Sequence, residues 1–307
     1  MKKTIMLDRH TIELSNEDKI LFPQSNITKG DLITYYEKIA PYMLPFLYNR
    51  PLSMQRFPEG IHHEGFFQKN VGDYFPAWIK TVKIKKKEGG SVEYVLCNNA
   101  ATLVYLANQA CVVFHPMLCT MPKMHTPRYL IFDLDPGKAS FDCVRATAQQ
   151  IKKILDSFDI PAFVMTTGAH GLHVVTPLKP GHTFDEVKDF AQDVAALLVL
   201  QHPKEVTMVL QKGKRGKRVF IDTLRNAFSA LAVCPYSVRA REDAPVATPI
   251  GWDEVGKKSL RPDLYTITSL FKRLGKKKDP WHAIHTSACS LRKAHKKLRM
   301  LLQHHTS

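Results

Sequence analysis

The sequence predicts an α+β protein whose chemistry sits on a central sheet. Short runs rich in Val, Ile, Phe and Tyr, bounded by Pro or Gly, occupy the middle of the chain. Two helical periods lie between them behind capping signals, and no internal repeat or low-complexity block interrupts the pattern. At 307 residues the chain can bury one large core or two modest ones without covalent help. A two-lobed unit is expected over residues 1–290, followed by a basic tail, helical or frayed, over 291–307.

The elements follow in order. Thr28, with Asp31 three residues on, is a capping-box signal, and Leu32, Tyr35, Tyr36, Ile39, Tyr42 and Met43 then recur at helical spacing, which predicts a helix over 29–44. Residues 79–97 read as a hairpin turned at Gly89 and Gly90, with Lys83, Lys85 and Lys87 on one face. Arg128 to Asp135, Ala162 to Thr167, Leu172 to Thr176 and Arg218 to Thr223 are the predicted strands of the central sheet. Helices over 141–157 and 184–201 punctuate them, the second opened by Thr183 and Glu186.

Lys and Arg number 44 against 28 Asp and Glu, a net charge of +16 that favours a polyanionic partner and makes nucleic acid the first candidate. The longest apolar run, Val194 to Leu200, is far too short to cross a bilayer. The N-terminus meets Asp8 and Arg9 before an apolar leader could form, so no secretion signal is expected. Six scattered cysteines with no CxxC spacing read as reduced, buried thiols of a cytoplasmic protein, here one associated with the nucleoid.

In Tyr129 to Asp135 the strand period of two puts Ile131, Asp133 and Asp135 on one face and Leu130, Phe132 and Leu134 on the other. Two carboxylates side by side on a core strand call for a cation, because burial and mutual repulsion would otherwise raise one pKa. Asp222, at the end of a second strand, offers a third carboxylate, and an all-oxygen set suits Mg²⁺ or Mn²⁺ in a two-metal phosphoryl-transfer layout. Asp before Pro136 and Gly137 is equally ordinary turn chemistry, so the pair alone does not decide. The Gly-flanked turn from Thr167 to Gly171 could aim backbone N–H groups and a hydroxyl at phosphates, with His173 pointing to the same place.

These residues resemble the archaeo-eukaryotic primase-polymerases, and specifically the polymerase domain of bacterial DNA ligase D of non-homologous end joining. The resemblance runs through Leu14 to Pro23, Thr28-Lys29, Asn49 to Leu52, Arg56 to Gly60, Phe66 to Lys69, Phe114-His115-Pro116 and Phe132 to Gly137. It continues through Thr167 to His173, Ile221-Asp222, Arg225-Asn226, Pro235 to Arg241, Trp252 and Asp279-Pro280-Trp281. It implies a primase-polymerase fold, with an RRM-like catalytic sheet beside a second sheet-and-helix lobe. Carried over residue by residue, it makes Asp133, Asp135 and Asp222 the catalytic, metal-binding triad for Mn²⁺ or Mg²⁺. It puts His115, Thr167, His173 and Arg239 at the incoming nucleotide, Asn16, Lys19 and Lys29 at a DNA 5′-phosphate, and Phe66 and Phe67 against template bases.

The implied activity is template-dependent addition of NTPs, and less well dNTPs, to primer 3′ ends at short gaps and double-strand breaks. The implied partners are gapped or broken DNA, a Ku-type end-binding protein and a DNA ligase, with no membrane. No Lys-x-Asp-Gly ligase motif is present, so the expected unit is a polymerase that stands alone or belongs to a larger protein. The sequence departs from the family at Thr167, commonly Ser, at His170, often Lys or Arg, and at Thr223, commonly aromatic. The competing readings are a de novo primase, a catalytically idle DNA-end-binding or synapsis module and a metal-dependent phosphodiesterase. The basic runs at Lys85 to Lys87, at Lys212 to Lys217 and near the C-terminus match no motif and read as solvated faces that add a salt-sensitive DNA footprint.

Overall fold

The computed structural model describes residues 3–86 and 89–306; Lys87 and Glu88 of the expected hairpin, like residues 1–2 and 307, lie outside the described residues. The chain divides into two compact units: Met1–Pro122 with Leu231–Ala247 and Tyr265–Lys272, and Lys123–Ala230 with Thr248–Leu264 and Arg273–Ser307.

The first unit begins with an antiparallel hairpin, β1 (Lys3–Leu7) and β2 (His10–Leu14), turned through Asp8 and Arg9. Short strands β3 (Ile20–Phe22) and β4 (Ile27–Thr28) lead into α1 (Lys29–Leu47). The capping box forms as the sequence predicts: the Thr28 hydroxyl accepts from the Asp31 N–H, and the Asp31 carboxylate accepts from the Thr28 N–H. Leu32, Tyr35, Tyr36, Ile39 and Met43 are buried along one face, and the helix continues three residues past its expected end to bury Phe46 and Leu47. Strands β5 (Pro51–Arg56), β6 (Phe66–Gln68), β7 (Thr81–Lys85), β8 (Ser91–Leu96) and β9 (Cys111–Pro116) form a five-stranded sheet, with α2 (Ala100–Asn108) between β8 and β9. The expected hairpin is β7 with β8, and Gly89 and Gly90 adopt φ of +92° and +74° at its turn, where Lys83 and Lys85 stay exposed. A short strand β10 (Cys119–Thr120) follows.

The second unit holds β11 (Lys123–Pro127), β12 (Tyr129–Asp135), α3 (Phe141–Asp156), β13 (Phe163–Thr166), β14 (Leu172–Pro177), α4 (Phe184–Gln201), β15 (Val206–Thr207), β16 (Val219–Asp222) and β17 (Thr248–Ile250). Short helices α5 (Trp252–Val255) and α6 (Leu270–Leu274) and a final α7 (Arg292–Thr306) complete the chain. The sheet order is β15-β16-β12-β14-β13-β17, antiparallel except for the β15–β16 pair. Within it the run β12-α3-β13-β14-α4-β16 gives the interleaved order of an RRM-like βαββαβ unit, as the resemblance implied.

Helices α3 and α4 lie on the apolar face of this sheet. Leu130, Phe132 and Leu134 are fully buried there, together with Ala148 and Ile151 of α3 and Val187 and Phe190 of α4. Truncating any of the three β12 side chains to Ala would cost about 2–5 kcal/mol, since each fills a site closed on all sides. That face fixes the strand's rotation and so turns Asp133 and Asp135 to the opposite side.

The basic C-terminal residues form a helix: α7 buries Ala294 and Leu298, with Leu291 buried just before it, and packs along α4. The cysteine expectation holds for Cys97, Cys111, Cys119 and Cys234, whereas Cys143, in the first turn of α3, is exposed and Cys289 is half-buried. No helix among the described residues is long and apolar enough to cross a membrane.

Candidate active site

The aspartate face is built by strand register. Asp133 stands directly opposite Asp222 of β16 on one side and opposite His173 of β14 on the other. Three candidate site residues therefore share one row across three strands. Asp135 lies two residues along on the same face, opposite Phe220.

Cationic side chains neutralise this face. Arg225 Nε donates to Asp133 Oδ2 at 3.0 Å and lies 3.4 Å from Asp222 Oδ2, and His173 Nε2 sits 3.4 Å from Asp133 Oδ1. Burial alone would raise the Asp133 pKa, but His173 and then Arg225 outweigh it and hold the carboxyl down at about 2. Arg215 Nη1 lies 3.5 Å from Asp135 Oδ2, while its guanidinium stacks 3.6 Å above the Phe220 ring and donates to the carbonyls of Val209 and Leu210. One oxygen each of Asp135 and Asp222 accepts a local main-chain N–H, from Gly137 and Leu224 respectively, and the other faces Arg215 or Arg225.

These donors fit Mg²⁺ or Mn²⁺. Such an ion binds through one or two carboxylates and completes its shell with water and phosphate oxygens, and Asp133 and Asp222 offer two hard carboxylates in register. Among the described residues no three His, Cys, Asp or Glu side chains converge into a ready-made cage, so this is a site that substrate oxygens would have to complete.

The Thr167 turn differs from its expected form. The Thr167 hydroxyl donates to the Gly171 carbonyl and accepts from the N–H groups of Gly171 and Ala169; the Gly168 N–H donates to the Pro262 carbonyl and the Thr167 N–H to the Gly171 carbonyl. The hydroxyl and three of the N–H groups expected to face phosphates thus bond within the loop, and that of Gly168 bonds the Pro262 carbonyl beyond it. Buried donors must find partners, and inside so short a turn the nearest partners are its own. His170 is exposed at the tip. Gly171 is required for packing: a Cβ there would lie 1.8 Å from the Leu134 carbonyl oxygen, between the two β12 aspartates.

The remaining expected site residues belong to the first unit. His115 is on β9, opposite Ser53, with its ring 5.7 Å from that of Phe67. Phe66 and Phe67 are 46% and 56% exposed on β6, too open for the core role that adjacent phenylalanines usually play. Arg239 is half-buried in the segment after Cys234.

Asn16, Lys19 and Lys29 come together at the start of α1, where the Lys19 N–H donates to the Asn16 carbonyl and the Lys29 N–H to the Lys19 carbonyl. Lys29 is buried with its Nζ on the Ser15 hydroxyl; burial and then the charge of Lys19 lower its pKa, against a smaller pull from Glu17. Lys19 pairs with the exposed Glu59 at 2.6 Å. The start of α1 thus carries two lysines whose charges act on one another, the buried one held by Ser15 and the outer one paired with Glu59.

Three contributors are given no role by the sequence, although Arg225 and Asn226 lie in a stretch that carries the resemblance. Arg225 carried a signal, because position i+3 from Asp222 returns its side chain to the strand end. Arg215 was hidden in the basic run 212–217 and is the buried member of it, while Lys212, Lys214 and Lys217 are exposed as expected. Asn226, fully buried, bonds the main chain of Ile131 and had no local signal of that role.

The sheet order and the aspartate row define a primase-polymerase type of catalytic unit. The family model described as LigD, primase-polymerase domain, matches residues 28–281, and the chain belongs to that family. It is 34% identical over 272 residues to the bifunctional non-homologous end joining protein LigD of Bacillus subtilis, covering 88% of this chain and 43% of that protein. It is 31% identical over 278 residues to the multifunctional non-homologous end joining protein LigD of Pseudomonas aeruginosa, covering 88% of this chain and 32% of that protein. The chain thus spans less than half the length of these relatives. Among solved structures, the polymerase domain from Mycobacterium tuberculosis ligase D in complex with DNA superposes with a TM-score of 0.84 at 28% identity, covering 91% of this chain and 99% of that one.

Proposed function

We propose that this chain is a template-dependent nucleotidyltransferase that extends primer 3′ ends, with NTPs in preference to dNTPs, at short gaps and double-strand breaks in non-homologous end joining. The observation that carries the reading is the in-register pairing of Asp133 with Asp222, with Asp135 on the same face. Transfer of a nucleotidyl group needs charge neutralised at the phosphates and the attacking hydroxyl held in line. Mg²⁺ or Mn²⁺ held by the three aspartates would supply both, by neutralising phosphate oxygens and activating the 3′-hydroxyl. His173 orients Asp133 and keeps it ionised, while His115 and Arg239 act on the triphosphate. Thr167 acts through the shape of its loop, since its hydroxyl is already committed.

The paired lysines at Lys19 and Lys29 support gap filling over de novo priming, because a site for a downstream 5′-phosphate has no use at an unprimed template. Phe66 and Phe67 would stack on template bases, each worth about 1–3 kcal/mol. Ku-type end-binding protein and a DNA ligase are the partners that this repair step would serve, at the nucleoid of the cytoplasm. The test is primer extension across a short gap in Mn²⁺, with and without a downstream 5′-phosphate and with NTP or dNTP. Addition of one or a few nucleotides, greater with NTP and greater with the 5′-phosphate, is the expected result. Shortening of the primer would instead favour a phosphodiesterase, and DNA binding without extension an end-binding module.

A further inference from the structure

Helix α7 begins eleven residues beyond the stretch that matches the family model, so its surface needs an explanation of its own. Its rotational setting is fixed. Leu291, Ala294 and Leu298 are buried, His295 Nε2 meets Asp193 Oδ2 at 2.8 Å, and Arg299 lies 3.3 Å from Asp193 and 3.7 Å from Asp189. Asp189 and Asp193 of α4 are thereby spent on His295 and Arg299. Arg292, Lys293, Lys296 and Lys297 remain exposed, with no carboxylate among the described residues bonded to any of them and no acidic residue in the α7 sequence. Arg292 gives one N–H to the Gly181 carbonyl, which holds its guanidinium at the mouth of a groove of about 420 Å³ between α4 and α7. Lys296 and Arg299 line the same groove, where Glu186 is the acidic member of the lining, and Glu186 is occupied with the Thr183 N–H.

Four uncompensated cations on one and a half helical turns repel one another, a cost that a surface without a partner would not carry. Spacing and charge fit a row of phosphodiester groups: on a helix, residues 293, 296 and 297 fall within about 100° of arc, and the 292–296 pair continues it into the groove. From this geometry we propose that the exposed face of α7, with the α4–α7 groove, is an auxiliary binding surface for the sugar-phosphate backbone of nucleic acid. It reads no sequence and no strand end, and it adds affinity through release of counterions. The inference rests on the reading of this chain as a DNA-binding polymerase, and it adds a contact outside the nucleotide and 5′-phosphate sites.

The test uses the full chain and a fluorescent duplex, with binding followed by polarisation from 50 to 200 mM salt. Replacing Arg292, Lys293, Lys296 and Lys297 together by Gln should weaken binding at 50 mM salt by more than about tenfold. It should also make the slope of log K against log salt shallower by about 3 to 4, at about 0.9 for each phosphate no longer neutralised. The loss should be equal on duplexes with and without a 5′-phosphate, which separates this surface from Lys19 and Lys29. The charge-retaining variant with Arg at 293, 296 and 297 should bind as the wild type does, so that damage to the helix cannot imitate the effect. An unchanged slope in the Gln variant overturns the proposal, as does a loss confined to 5′-phosphorylated ends. Loss of binding to vesicles containing anionic lipid, with DNA binding intact, would assign the surface to a membrane and likewise overturn it. Absence of any DNA binding by the wild type would instead overturn the polymerase reading itself.

Discussion

Asn226 closes both main-chain hydrogen bonds of Ile131, its Oδ1 accepting from the Ile131 N–H at 2.8 Å and its Nδ2 donating to the Ile131 carbonyl at 2.8 Å. Strand β16 pairs with β12 from Asp133 to Asp135, so on that side Ile131 has lost its strand neighbour and the amide replaces it. The aspartate row is thus anchored two residues before Asp133 by a residue four positions after Asp222.

Replacing Asn226 by Ala should leave two buried main-chain groups unpaired and cost about 2–6 kcal/mol of stability, at about 1–3 for each orphaned group. Asn226→Asp restores the acceptor but sets a buried carboxylate oxygen against the Ile131 and Thr223 carbonyls, so it should cost at least as much as Asn226→Ala. Urea unfolding of the three proteins checks the order.

Gly171 has no room for a side chain, because a Cβ would meet the Leu134 carbonyl oxygen at 1.8 Å. Gly171→Ala must push β14 away from β12 between the two aspartates, at a cost of at least about 2 kcal/mol. Nucleotide addition should fall more steeply than the fraction of folded protein does. Extension assays normalised to folded protein by circular dichroism separate the two effects.

The parts of this architecture that were legible in the sequence are those set by local pattern. The Thr28–Asp31 capping box, the strand carrying Asp133 and Asp135, and the bounds of α3 and α4 all depend on neighbours within a few residues. Helix α2 was missed because nearly all its residues are buried, so no polar face marks the helical period. Strand β17, which carries Pro249, joins the sheet at its edge from far along the chain, and nothing local announces that pairing. Of the site, the acidic residues and His173 were legible. Arg215 looked like one more solvated cation, and only folding shows it stacked on Phe220 beside Asp135.

Acid should destabilise the second unit in a defined window. Asp133 is held at about 2 in the folded protein against an ordinary 3.8, and Glu254 is also lowered, since the Gly251 N–H and Arg273 outweigh its burial. The unfolded chain then binds protons that the folded chain refuses, so stability is fully present above about pH 4.5 and is lost as pH falls toward 2. Arg225→Gln removes one of the two partners of Asp133 and should raise its pKa, moving the onset of acid unfolding to higher pH. Denaturant melts between pH 2 and 5, with a carbon-detected titration of Asp133, measure both.

Lys29 is buried with one hydroxyl partner and a second ammonium nearby, an arrangement that an anion relieves. Lys29→Gln should remove most of the stimulation that a downstream 5′-phosphate gives, by about tenfold or more, at about 1.5–3 kcal/mol for a charged hydrogen bond. Extension on gaps without the phosphate should change little. Lys19→Gln should have a smaller effect, because that side chain already shares its charge with Glu59. Gap-filling rates on paired substrates test both variants.

The most direct test of the central claim is single-turnover nucleotide addition in Mn²⁺ by the wild type, Asp133→Asn and Asp222→Asn, with DNA affinity measured in parallel. If the in-register pair holds the ion that serves the transfer, both variants bind gapped DNA as the wild type does and add nothing above background. Extension by either variant at a rate near that of the wild type would contradict the assignment of this carboxylate row as the catalytic centre.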